Sequence, residues 1–139
     1  MKVFGGIFCV AAFITAQSIR PEDSEAKLIS TSWSAQTVAQ IQSEGRPIFV
    51  DFTAAWCVTC KVNEGLVLNR SKTKALFERT NTAFLVADWT NKDDVIAAEL
   101  KRFGRAGVPL YLIYKPGQSD PVILPQTLSY ETLRDALEE

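Results

Sequence analysis

Cys57 and Cys60, in the run Cys57-Val58-Thr59-Cys60, are the residues whose type and spacing most directly allow chemistry. Two residues three apart share one face of a helix. No Gly or Pro interrupts the chain from Cys57 to Glu64, so a helix can start at the first cysteine. A helix N-terminus carries unpaired N–H groups and the positive end of the dipole. A thiolate at Cys57 is stabilised there, and the thiolate is the nucleophilic form. Cys60, one turn on, is placed to attack a mixed disulfide formed at Cys57. The pair therefore reads as apparatus for thiol–disulfide exchange, with Cys57 as the exposed attacking sulfur and Cys60 as the shielded resolving one.

The competing chemistry for such a pair is half of a structural zinc site, which needs four ligands. The chain has 3 Cys and no His, and the third, Cys9, lies in an apolar leader where it reads as filler. No metal is expected. Asp51 is the other conspicuous group. It stands between Val50 and Phe52 in the otherwise apolar run Ile48–Phe52 and faces away from both. At a sheet edge it would simply be solvated. In a central strand a carboxylate is costly unless it has a partner or a role.

The elements that position these residues follow from pattern. Ile48–Phe52 suits a strand buried on both faces, as in a parallel sheet. Ser34 can cap a helix over 35–44 that turns Val38 and Ile41 inward and ends at Gly45. After Glu64, Gly65 weakens the helix, and Leu66-Val67-Leu68 is expected to pack beneath it. Residues 71–79 read as a helix and 83–87 as a second buried strand. Asn91 is the expected N-cap of a helix over 92–103, with Val95, Ile96, Leu100 and Phe103 inward and Gly104 ending it. A third strand covers 110–114, a turn 115–118, a short edge strand 122–124, and Ser129 caps a final helix. Alternating strands and helices, then a hairpin and a helix, define an α/β fold with a central mixed sheet flanked by helices.

Composition permits one such domain. The 139 residues are 47% hydrophobic and 22% charged, enough to supply a core. A net charge of −1 gives no basic excess for nucleic acid. Residues 1–20 form an apolar leader: a signal peptide, an anchor or the end of a transmembrane helix, although Ile14-Thr15-Ala16 is a poor cleavage site and the run is short for a span. Residues 21–32 read as a polar linker, and 33–139 as the folded domain.

Val50-Asp51-Phe52, Trp56 and Cys57-x-x-Cys60-Lys61 resemble thioredoxin. The longer string from Asp51 to Glu64, with Ala87-Asp88-Trp89-Thr90 and Gly104-Arg105-Ala106-Gly107-Val108-Pro109-Leu110-Tyr111, resembles the C-terminal thioredoxin-like domain of DsbD-type thiol:disulfide interchange proteins. The resemblance covers the chain from about Trp33 onward. It implies a thioredoxin fold and a redox disulfide Cys57–Cys60. It gives Asp51 the place of the buried acid that accepts and returns the Cys60 proton. By composition Glu64 is an ordinary exposed helix residue; the resemblance implies a second carboxylate whose charge restrains the cysteines. By pattern Pro109 is a trans residue opening a strand; the resemblance implies a cis Val108–Pro109 bond facing the cysteines, where a substrate peptide pairs with the backbone. Trp56 reads as both rim and packing. Trp89 and Tyr111 read as core, and Lys101, Arg102 and Arg105 as a solvated face.

What the resemblance implies overall is a protein-disulfide reductase domain at the bacterial inner membrane, facing the periplasm and monomeric. It would take electrons from a membrane-embedded redox domain and pass them to periplasmic disulfide proteins, with no cofactor. The alternatives are a free or anchored periplasmic thioredoxin or disulfide oxidase, since CxxC spacing does not set direction. Another is a thioredoxin-fold binding module with structural cysteines.

Overall fold

The computed structural model describes residues 28–139. The apolar leader, Cys9 and the linker as far as residue 27 lie outside the described residues. The described chain forms β1 (Thr31–Ser32), α1 (Ala35–Ser43), β2 (Ile48–Thr53), α2 (Val58–Asn63), a π-helical turn (Glu64–Leu68), α3 (Ser71–Arg79), β3 (Ala83–Asp88), α4 (Asp94–Arg102), β4 (Leu110–Tyr114), β5 (Val122–Ile123) and α5 (Tyr130–Glu138). The strand order is β1-β3-β2-β4-β5. The pairs β1–β3 and β2–β3 are parallel, and β2–β4 and β4–β5 antiparallel. This mixed sheet flanked by helices is the α/β arrangement that the pattern predicts and the thioredoxin fold that the resemblance implies.

Side-chain alternation along β2 sorts the core into two layers. Ile48, Val50 and Phe52 pack with Val38 and Ile41 of α1 and Ile96 and Leu100 of α4. Phe49, on the opposite face, packs with Val67 and Leu68 of the π turn, Leu76 and Phe77 of α3 and Leu133 of α5. Asp51 and Thr53 share the Phe49 face by alternation, so β2 turns its two polar side chains toward the helices that follow it. All six residues of β2 are buried, as a strand paired on both sides requires.

Four local differences from the sequence reading have physical causes. Thr31 and Ser32, assigned to the linker, add a parallel edge strand to β3, and Leu28 before them is buried. Nothing apolar in Thr-Ser announces this strand; its backbone pairing does. The N-cap of α4 is Asp93, whose Oδ1 accepts from the Val95 and Ile96 amides at 3.0 and 2.9 Å, and not Asn91. Lys92 has φ +52°, a left-handed backbone that cannot belong to the helix. With the helix starting at Asp94, its inner face falls on Ile96 and Leu100, and Val95, expected inside, is 70% exposed. Leu66 is 63% exposed while Val67 and Leu68 are buried, because the wide π turn at Gly65 rotates one residue of the apolar triplet outward. In β5, Val122 and Ile123 are exposed and Leu124 supplies the buried contact.

Candidate active site

Cys57 and Cys60 are joined in a disulfide. Cys57 is the N-cap of α2 in extended backbone, and its Sγ accepts the Cys60 amide at 3.2 Å. The sulfur thus takes the capping place that Ser or Asp usually fills, against the free N–H groups and the dipole. Cys57 is 7% and Cys60 0% exposed. Both are buried in the disulfide, and Cys57 is the one solvent touches. Ala54, Cys57 and Cys60 pack as a small cluster with Val108 against it. The Val108–Pro109 peptide bond is cis.

Asp51 is 2% exposed, and its Oδ1 has no hydrogen-bond partner among the described residues. Burial pushes its carboxyl from 3.8 up to about 7; the Glu64 charge adds to this and the Lys61 ammonium opposes it. A buried acid that titrates near neutral pH can hold or release a proton where thiols exchange. Glu64, at the junction of α2 and the π turn, is not the freely solvated helix residue that composition suggests. Its Oε1 accepts from the Thr53 hydroxyl at 3.1 Å and its Oε2 from Lys61 Nζ at 2.9 Å.

The rim is built from the β3–α4 connection. Trp56 is half exposed, and its Nε1 donates to the Thr90 carbonyl at 3.1 Å. The Ala55 amide donates to Thr90 Oγ1 at 2.9 Å, and Thr90 donates its own amide and hydroxyl to Asp88. Those bonds hold the Asp88 carboxyl below its usual range. Trp56 meets Trp89 with ring centroids 6.0 Å apart, and Lys92 Nζ lies over both rings, 5.3 Å from Trp56 and 5.9 Å from Trp89. Sequence reasoning singled out Trp56, quoted Asp88-Trp89-Thr90 only as part of the resemblance without its bonding role, and gave Lys92 no role. The Asp-x-Thr spacing of an Asx-type turn was the available signal.

Asn63 was likewise given no role. It is 3% exposed and ties α2 to the sheet and the loop before α5. Its Nδ2 donates to the Tyr111 hydroxyl at 2.9 Å and the Gln126 carbonyl at 2.7 Å, and its Oδ1 accepts the Leu128 amide at 3.2 Å. Tyr111 is core, as expected, and burial pushes its phenol well above the usual range. No cluster of His, Cys, Asp and Glu suited to a metal occurs among the described residues.

A helix-capping cysteine disulfide-bonded one turn ahead, on the helix that follows a central strand carrying a buried acid, defines the thioredoxin-like class of disulfide oxidoreductase folds. A family model described as thioredoxin-like matches residues 29–116, and the chain belongs to that family. Among curated relatives, the thiol:disulfide interchange protein DsbD of Ralstonia nicotianae is 33% identical over 94 residues, 67% of this chain and 15% of that protein. DsbD of Yersinia pestis is 34% identical over 73 residues, 52% of this chain and 12% of that protein. The chain thus spans a small fraction of the DsbD proteins it matches. A thioredoxin H-type of Chlamydomonas reinhardtii is 35% identical over 86 residues, 62% of this chain and 68% of that protein. Among solved structures, the oxidised DsbD C-terminal domain of Neisseria meningitidis superposes with a TM-score of 0.57 at 22% identity, covering 79% of this chain and 97% of that one. At that identity it bears on the fold alone.

Proposed function

We propose that this domain is a protein-disulfide reductase, a relay of the DsbD type. The observation that carries the reading is Asp51, an unpartnered acid buried in the central strand beside the helix that bears both cysteines. In the reduced domain the Cys57 thiolate attacks one sulfur of a partner disulfide, forming a mixed disulfide and releasing the partner's other sulfur as a thiolate. The Cys60 thiol gives its proton to the Asp51 carboxylate and attacks Cys57 Sγ. The partner leaves with two thiols once protons return from Asp51 and water, and the domain is left with the Cys57–Cys60 disulfide. Two electrons have passed to the partner. A dithiol of a membrane-embedded redox domain restores the pair by the same exchange in reverse, and no diffusible cofactor takes part.

Val108 packs on the pair, and Trp56 and Val58, the chain neighbours of Cys57, are exposed and offer an apolar rim that a protein partner would cover. Val108 and Pro109 are the proposed substrate-contacting residues, because Val108 packs directly on the cysteine cluster. Placement at the periplasmic face of the inner membrane rests on the likeness to DsbD. Among the described residues no helix is long and apolar enough to cross a membrane.

The test is reduction of insulin disulfides by the purified chain, with dithiothreitol as the terminal reductant. A rate well above that of dithiothreitol alone is expected, abolished by Cys57→Ser. A wild-type rate equal to the background would leave a binding module with structural cysteines.

A further inference from the structure

Thr53 stands two positions after Asp51 on β2, so both side chains lie on the same face of the strand. It is 7% exposed. Its hydroxyl donates to Glu64 Oε1 at 3.1 Å, while Lys61 Nζ donates to Glu64 Oε2 at 2.9 Å. One carboxylate is therefore held at both oxygens, but from different places. Lys61 sits in the last turn of α2, three residues before Glu64 at that helix's C-terminal end, and its side chain is half exposed, so it moves with Glu64. The Thr53 hydroxyl is anchored to the strand and joins Glu64 to it.

We propose that Thr53 is a positioning residue: its hydroxyl holds the Glu64 carboxylate against the strand that carries Asp51 and so fixes the negative charge felt by the proton-transfer group. This inference rests on the reading of Asp51 as that group. Without the tether, Glu64 can swing toward water beside Lys61, where solvent and salt screen its charge. The other groups around Asp51 do not replace it. Tyr111, opposite Asp51 in the β2–β4 register, is kept neutral by burial. Val86, opposite it on β3, has no charge. Asp88, opposite Thr53, stays ionised in the grip of Thr90, and the cysteines are uncharged as a disulfide. Lys61 pulls the other way from Glu64.

Asp51 is best followed in the oxidised chain, where neither thiol of the Cys57–Cys60 pair titrates, by carbon NMR of its carboxyl through pH 4 to 9. Thr53→Val keeps the side-chain shape and removes the hydroxyl. It is expected to lower the Asp51 midpoint by roughly half a pH unit. Thr53→Ser keeps the hydroxyl and is expected to keep the midpoint. In a Glu64→Gln background, Thr53→Val is expected to add no further shift, because both changes act through one charge. An unmoved midpoint in Thr53→Val, or an equal shift with and without Glu64, overturns the inference. Thr53→Ala serves the same comparison if the valine variant does not fold. The reading of Asp51 is judged separately: if Asp51→Asn exchanges thiols with an unchanged pH profile, that reading falls, whatever the midpoint does.

Discussion

The Cys60 amide donates to Cys57 Sγ at 3.2 Å, so the proposed attacking residue caps the helix that carries its resolving partner. The two sulfurs differ in environment: Cys60 is fully enclosed and Cys57 is not. Cys57→Ser is expected to abolish disulfide reduction. Cys60→Ser is expected to accumulate mixed disulfides with protein partners, visible on non-reducing gels. Equal trapping by both variants would reverse or erase the assigned order.

Asp51 makes stability depend on pH. Its carboxyl titrates near 7 in the fold and near 3.8 when the chain unfolds. Between those values the native state holds a proton that the unfolded state has lost, so stability is full below about pH 4 and falls as pH rises toward 7. The loss is on the order of 4 kcal/mol. Denaturant titrations of the oxidised chain at pH 4.5 and 8 check this, and Asp51→Asn is expected to flatten the difference. A wild-type chain more stable at pH 8 than at 4.5 would contradict the assignment.

Direction of electron flow is set by opposing charges. The helix terminus at Cys57 favours the thiolate, which makes a pair more oxidising; carboxylates nearby oppose it. With Asp51 buried and Glu64 held beside it, the reduction potential is expected nearer the thioredoxin value of about −270 mV than the DsbA value of about −120 mV. Equilibration against glutathione buffers measures it. Glu64→Gln is expected to raise the potential, and a wild-type value close to that of DsbA would promote the oxidase reading.

Asn63 is a purely structural test of the site's scaffold. Asn63→Ala removes one acceptor and two donated bonds, leaving the Leu128 amide and Tyr111 hydroxyl without that partner. A loss of about 2–3 kcal/mol in denaturant unfolding is expected. A change under 0.5 kcal/mol would mean water replaces these bonds at little cost.

Much of this protein was legible before folding was considered. The strand with its single acid, the CxxC spacing, Ser34 and Ser129 as caps and Gly45 and Gly104 as stops are local signals, and each has a local cause. Glu64 was read both ways, because exposure in a helix is not a local property. Thr31–Ser32 carried no recognised signal, and Asn63 and Asp88-Trp89-Thr90, though inside the strings that carry the resemblance, were given no role, since their bonds reach partners distant in the chain.

The sequence by itself determined the chemistry on offer: two sulfurs one helical turn apart, at a place where a helix can begin, after a strand bearing one acid. Only the tertiary structure decided what that acid and its neighbours experience. Pairing β2 between β3 and β4 removes Asp51 from water and raises its affinity for a proton. Packing the π turn back onto β2 brings Glu64 to Thr53, eleven residues away in sequence. Desolvation and charge proximity depend on distances in space, which residue types along a line do not contain.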